Sequence, residues 1–125
     1  MIGATRGVSV HVYDQPCDMR KSFNTLSAVV EQQMKGDLLT GDLFLFVSRN
    51  QQRAKLLYFD GTGLCLYAKR LDKGRFSAPW KRKAGADRMV MTLSELSLFV
   101  EGGEVLERLS PQLLKQVDLR TQFPE

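Results

Sequence analysis

Hydrophobic residues recur at several different spacings along this chain, and each spacing predicts a different element. Between Gly7 and Tyr13, Val8, Val10 and Val12 alternate with Ser9, His11 and Tyr13, the period of two that marks a half-buried strand. Beyond Pro16 the period lengthens. Phe23, Leu26, Val29, Val30 and Met34 return every three or four residues, one apolar stripe of a helix, with Asp18 as the predicted N-cap and Gly36 as the stop. Three strand-like segments follow, Asp42 to Ser48, Ala54 to Phe59 and Leu64 to Arg70, separated by short polar turns. Such turns force antiparallel neighbours, and Asp60-Gly61 supplies the positive φ angles a hairpin needs, so a three-stranded meander is predicted. Leu43-Phe44-Leu45-Phe46-Val47 is apolar on both faces and is placed centrally.

The remainder is less regular. Residues 72–87 hold Gly74, Pro79 and Gly85 with little periodicity and read as a long loop, functional or mobile. Arg88 to Met91 reads as a short strand. Thr92-Leu93-Ser94-Glu95 fits a capping box opening a helix that runs to Gly102. Ser110-Pro111 predicts a further short helix through about Val117, followed by a frayed tail. The predicted fold is α+β: a mostly antiparallel sheet, containing the meander, packed against two or three helices.

Composition narrows the class. A chain of 125 residues, 43% hydrophobic and 26% charged, has the content of a single domain, with its core at about 8–102 and a short helix and tail over 103–125. The longest apolar run, Leu43 to Val47, is far too short to span a membrane, and no apolar signal region follows Met1, so a cytoplasmic location is expected. Cys17 and Cys65 are too distant for a CxxC pair, and neither a disulfide framework nor a zinc site is indicated.

Charge changes the picture most. From Arg49 to Arg88 eleven cations stand against three anions, a net +8, while residues 1–48 sum to −1 and residues 89–125 to −3. A basic middle between acidic ends points to a polyanionic partner, because lysine and arginine that displace condensed counterions supply most nonspecific nucleic-acid affinity. The cations cluster at the first hairpin loop and at the end of the third meander strand with its following loop. Tyr58, Phe59, Tyr67, Phe76 and Trp80 are interleaved with them, as a base-stacking platform would require, although Phe59 and Phe76 read as core.

Catalytic readings find little support. The single histidine, His11, alternates with valines on the first strand, and nothing in the spacing sets a serine or cysteine beside it. Nuclease chemistry needs carboxylates converging on divalent ions, whereas Asp18, Asp60 and Asp72 are explained by a helix cap, a hairpin turn and a loop partner for nearby cations. Gly61-Thr62-Gly63 precedes a strand rather than a helix N-terminus, so it is no phosphate loop. No enzyme, cofactor or metal is expected.

The strings Asp18-Met19-Arg20-Lys21, Lys55-Leu56-Leu57-Tyr58-Phe59-Asp60-Gly61-Thr62-Gly63 and Lys69-Arg70-Leu71-Asp72-Lys73-Gly74-Arg75-Phe76 resemble the small TnpB accessory proteins of the insertion sequence 66 family of bacterial transposable elements. The resemblance covers about residues 8–102, and is unrelated to the RNA-guided nuclease of the same name. It implies a protein encoded beside a separate DDE transposase, needed for transposition without being the enzyme that cuts. The family commonly has tryptophan where this chain has Phe59, Tyr67 and Ala78, tyrosine at Ala68 and glycine at Ser22, so several large aromatics are reduced while the basic positions stand.

The expected function is therefore a non-enzymatic accessory of DNA transposition that binds DNA, as duplex at the transposon ends, and helps assemble or position the transposase. Lys69, Arg70, Lys73 and Arg75 are the first candidates for phosphate contact, and Arg49, Arg53 and Lys55 the second. Arg20 and Lys21, placed in the first turn of the helix against its macrodipole, are candidates held for a partner. The alternative is an adaptor for the transposase or another accessory subunit, docking through acidic segments such as Glu101 to Glu107 without touching DNA. Base specificity and oligomeric state do not follow from the sequence.

Overall fold

The computed structural model describes residues 7–81 and 89–102. Five strands and two α-helices succeed one another: β1 Val10–Pro16, α1 Phe23–Gln32, β2 Leu43–Val47, β3 Arg53–Phe59, β4 Leu64–Arg70, β5 Met89–Met91 and α2 Leu93–Val100. They form one sheet in the order β4-β3-β2-β1-β5. Three of its pairings are antiparallel and one, β1 with β2, is parallel, because α1 carries the chain back across the sheet between those two strands. The expected α+β fold, the meander and the central place of β2 are all present.

Each face of the sheet has its own core. On one, Leu26, Val29 and Val30 of α1 pack over Phe44, Phe46 and Leu57. On the other, Leu96 and Phe99 of α2 join Val10, Val12, Leu45, Val47, Leu56 and Phe76. Consecutive residues of β2 therefore serve opposite cores, which is why that strand tolerates no polar position.

Several elements differ from the sequence reading. β1 runs three residues later than predicted and extends to Pro16, and that extension leaves residues 18–21 in a turn closed by Lys21 N–H to the Asp18 carbonyl at 3.1 Å. Asp18 is consequently not the helix cap. Ser22 is, with its N–H donating to Thr25 Oγ1 at 2.9 Å. Arg20 and Lys21 precede the helix and are not in its first turn. Helix α1 stops at Gln32, and the chain unwinds through bonds from Met34 N–H to Val29 and from Gly36 N–H to Val30.

The 72–87 loop is bolted down over its described part. Phe76 is 1% exposed and stacks on Phe99 with ring centroids 5.4 Å apart, while its N–H donates to Gln51 O at 2.7 Å. Phe59, expected in the core, is only half-buried. Helix α2 begins with the predicted box, Thr92 Oγ1 accepting from Glu95 N–H and Glu95 Oε1 from Thr92 N–H. It ends two residues short of Gly102, whose φ of 93° closes the helix. The helix predicted from Ser110 and the tail lie outside the described residues. Among the described residues no helix is long and apolar enough to cross a membrane.

The β3–β4 turn shows why Asp60 was legible. Its Oδ1 accepts from Thr62 N–H, Gly63 N–H and the Thr62 hydroxyl at 2.9–3.0 Å, and Gly61 takes a φ of 107°. These donors, the Thr62 and Gly63 N–H groups foremost, favour the ionised carboxylate and draw its pKa down to about 2. Because the folded pKa is depressed, the stabilisation is complete above the ordinary carboxylate pKa of about 4 and is lost as pH falls through about 2. An NMR titration following the Asp60 carboxyl carbon is expected to give a midpoint near 2; a midpoint near 4 would mean the turn is open in solution.

Candidate nucleic-acid interface

The hairpin turn sets the register of β3 on β4, and the register puts Arg53 directly opposite Arg70. Both side chains are exposed and lie on the same face of the sheet, that of α1. Directly opposed like charges are destabilising by a few tenths of a kcal/mol to about 1 kcal/mol, so the fold itself does not call for this pair. Arg49 sits in the β2–β3 loop one turn away, and Arg49, Arg53 and Arg20 line one shallow depression with Asp18, Ser48 and Asn50.

That loop is rigidly built. Buried Ser48 donates its hydroxyl to Asn50 Oδ1 at 2.8 Å and accepts from Arg53 N–H at 3.0 Å, while Asn50 Oδ1 also accepts from Gln52 N–H. Two further backbone bonds, Leu71 N–H to Gln52 O at 2.8 Å and Phe76 N–H to Gln51 O, lash the segment after β4 to the same loop. Lys73 and Arg75, both exposed, ride on that segment. The two basic clusters anticipated from the sequence thus meet at one end of the meander. Among the described residues, none of Arg49, Arg53, Arg70, Lys73 and Arg75 makes an ion pair.

Other candidate cations are engaged internally. Lys55 Nζ donates to the carbonyls of Met19 and Lys21 at 2.8 and 2.7 Å, fastening the turn before α1 to the sheet. Lys69 lies on the opposite face of β4, where its Nζ donates to Val100 O at 2.7 Å and satisfies a carbonyl at the end of α2. Arg20 forms a forked pair with Asp18, Nη2 to Oδ2 at 2.7 Å, and this guanidinium holds the Asp18 carboxyl well below the usual range. Lys21 is half-buried and lends its carbonyl to Lys55. Asp72, expected to partner a nearby cation, forms no ion pair with any described residue. Lys81 is exposed; Arg82, Lys83 and Arg88 lie outside the described residues, as does most of the acidic segment after Glu101.

Nor do the aromatics form a platform. Phe76 is core and Trp80 packs half-buried against the α2-side cluster. Tyr67, 46% exposed, points to the α2 face, away from Arg53 and Arg70. The exposed surface at this end is therefore cationic rather than aromatic.

His11 lies remote from the basic end. Its Nε2 is 2.9 Å from Asp42 Oδ2 and its ring stacks on Phe44 at 5.0 Å. The cavity it lines, about 320 Å³, is bounded by Tyr13, Asp14, Gln15, Gln33, Met34 and Lys35 among others, with no serine or cysteine in its wall. Among the described residues no three histidine, cysteine, aspartate or glutamate side chains converge as a metal site would require.

Known proteins bear on this arrangement. The chain is 38% identical over 102 residues to the uncharacterized protein y4jC of Sinorhizobium fredii (strain NBRC 101917 / NGR234), covering 82% of this chain and 85% of that protein. It is 33% identical over 102 residues to the uncharacterized protein y4hO of the same strain, covering 82% and 86%. No solved structure matches it significantly. The family described as IS66 Orf2 like protein matches residues 8–109, a span that includes the described strands and helices together with Arg49, Arg53, Arg70, Lys73 and Arg75, and the chain belongs to that family.

Proposed function

We propose that the protein is a non-enzymatic accessory of DNA transposition that grips duplex DNA by its phosphates and helps assemble or position the transposase. Membership of the IS66 Orf2-like family supports the accessory role. One observation carries the DNA contact: Arg53 and Arg70, opposed across β3 and β4, join Arg49, Lys73 and Arg75 at one exposed basic end, and none of the five forms an ion pair with a described residue. Five cations on a rigid sheet end match a phosphate backbone, on which charges recur every few ångströms along the duplex. Their partners in this reading are the duplex ends of the element and its DDE transposase.

Fluorescence anisotropy of a labelled duplex, titrated with the native chain across a salt series, tests this. Five phosphate contacts predict a log-affinity against log-salt slope of about −4 to −5. A chain that fails to bind duplex even at low salt would overturn the DNA contact, and retention of transposase by that same chain would then favour the adaptor role.

A further inference from the structure

Strand β4 ends the sheet on one side, and among the described residues nothing pairs with its outer edge. The alternation of the ladder shows which groups are left over. Asp60 N–H bonds to Gly63 O at one end and Leu71 N–H to Gln52 O at the other, so the hydrogen-bonded pairs with β3 fall at Gly63, Cys65, Tyr67, Lys69 and Leu71. The N–H and C=O groups of Leu64, Leu66, Ala68 and Arg70 therefore point outward.

The usual protections of an edge are missing from its middle. β4 is seven residues long, its register with β3 runs without a bulge, and Leu64 to Ala68 contain neither a charge nor a proline. The opposite edge, β5, has only three residues. Charge on β4 is confined to Lys69 and Arg70 at one end, while the anionic Asp60 turn stands at the other.

We infer that the outer edge of β4 pairs antiparallel with β4 of a second copy about a two-fold axis at Tyr67, joining the two sheets into one. Only a dyad at Tyr67 uses all four outward residues of each copy, matching Leu64 with Arg70 and Leu66 with Ala68. It sets Arg70 of one copy beside the Asp60–Gly63 turn of the other, opposite charges on both sides of the axis. The two Tyr67 rings meet at a non-hydrogen-bonded position, where Cα atoms approach to about 4.5 Å. The interface is isologous and so closes at two copies. It leaves Arg49, Arg53, Lys73 and Arg75 outside the strand contact, and it stands independently of whether they bind DNA.

Sedimentation equilibrium of the full chain is expected to give twice the 14.2 kDa chain mass at micromolar concentration. Ala68→Pro deletes an outward N–H while sparing every bond to β3, because proline is tolerated at edge positions facing away from the ladder. That variant is expected to be monomeric with an unchanged circular dichroism spectrum. Tyr67→Cys in a Cys65→Ser background is expected to cross-link on mild oxidation, since that Cα spacing lies within disulfide reach; Leu64→Cys in the same background is expected not to. A monomeric native chain, a dimer that survives Ala68→Pro, or cross-linking through Leu64→Cys but not Tyr67→Cys would overturn the pairing.

Discussion

Replacing Arg53 and Arg70 together by glutamine is expected to weaken duplex binding about 50-fold near 0.1 M salt and to make the salt slope shallower by about 2, since each lost phosphate contact returns roughly one counterion. The same change is expected to leave the thermal midpoint unchanged or slightly higher. The two guanidinium groups oppose each other across the strand pair and repel, so neutral side chains of similar reach relieve about 0.2–1 kcal/mol. Lys55→Met provides the contrast. Its ammonium group holds the Met19 and Lys21 carbonyls, and hydrogen bonds from a charged donor are each worth about 1.5–3 kcal/mol. Its loss is expected to lower the melting temperature by several degrees while leaving the salt slope where it was. If the pattern were reversed, with Lys55→Met binding poorly and the arginine pair dispensable, the basic end would not be the contact surface.

This contrast marks how far the sequence could be read. The juxtaposition of Arg53 and Arg70 was within reach: once Asp60 to Gly63 is taken as the turn, counting seven residues outward along each strand lands on both. Joining the two clusters needed only that step. The fates of Lys55 and Lys69 were not legible, because their acceptors are main-chain carbonyls 31 to 36 residues away and a carbonyl has no signature in sequence. A strand lysine that braces a distant turn looks the same as one that waits for a phosphate.

Capping shows a similar division. Thr92 and Glu95 form the strong version of the box and are legible in sequence, whereas Ser22 and Thr25 form a weaker one, and Asp18 is an equally good cap by residue type four residues earlier. What removed Asp18 was the continuation of β1 to Pro16, a tertiary effect of pairing with Val47 on β2. The parallel pairing of β1 with β2 had a signal, a strand, helix and strand in close succession, but a short first strand followed by a meander invites an all-antiparallel reading.

Gly36 has the residue type of a helix stop, yet its importance is spatial, and a single added methyl there is expected to be strongly destabilising. Its backbone angle suits any residue; the positive φ at this helix end belongs to Lys35. A Cβ at position 36 would stand 2.6 Å from Phe44 Cε2 and 2.9 Å from Cζ, with Val30 Cγ1 at 3.2 Å. Phe44 has nowhere to go: it is 1% exposed, packed among α1 residues on one side and stacked on His11 on the other. Overpacking a filled core costs about 1–3 kcal/mol, so Gly36→Ala is expected to lower the melting temperature by about 5–15 °C. The cause is checked by a double-mutant cycle with Phe44→Leu, which removes the ring atoms in conflict. Phe44→Leu alone is expected to destabilise by about 1 kcal/mol through lost contacts, yet in the Gly36→Ala background it is expected to restore part of the loss, giving a coupling of about 1 kcal/mol or more. Additive effects would place the cost in the backbone at the end of α1 and not in the packing of α1 against the sheet.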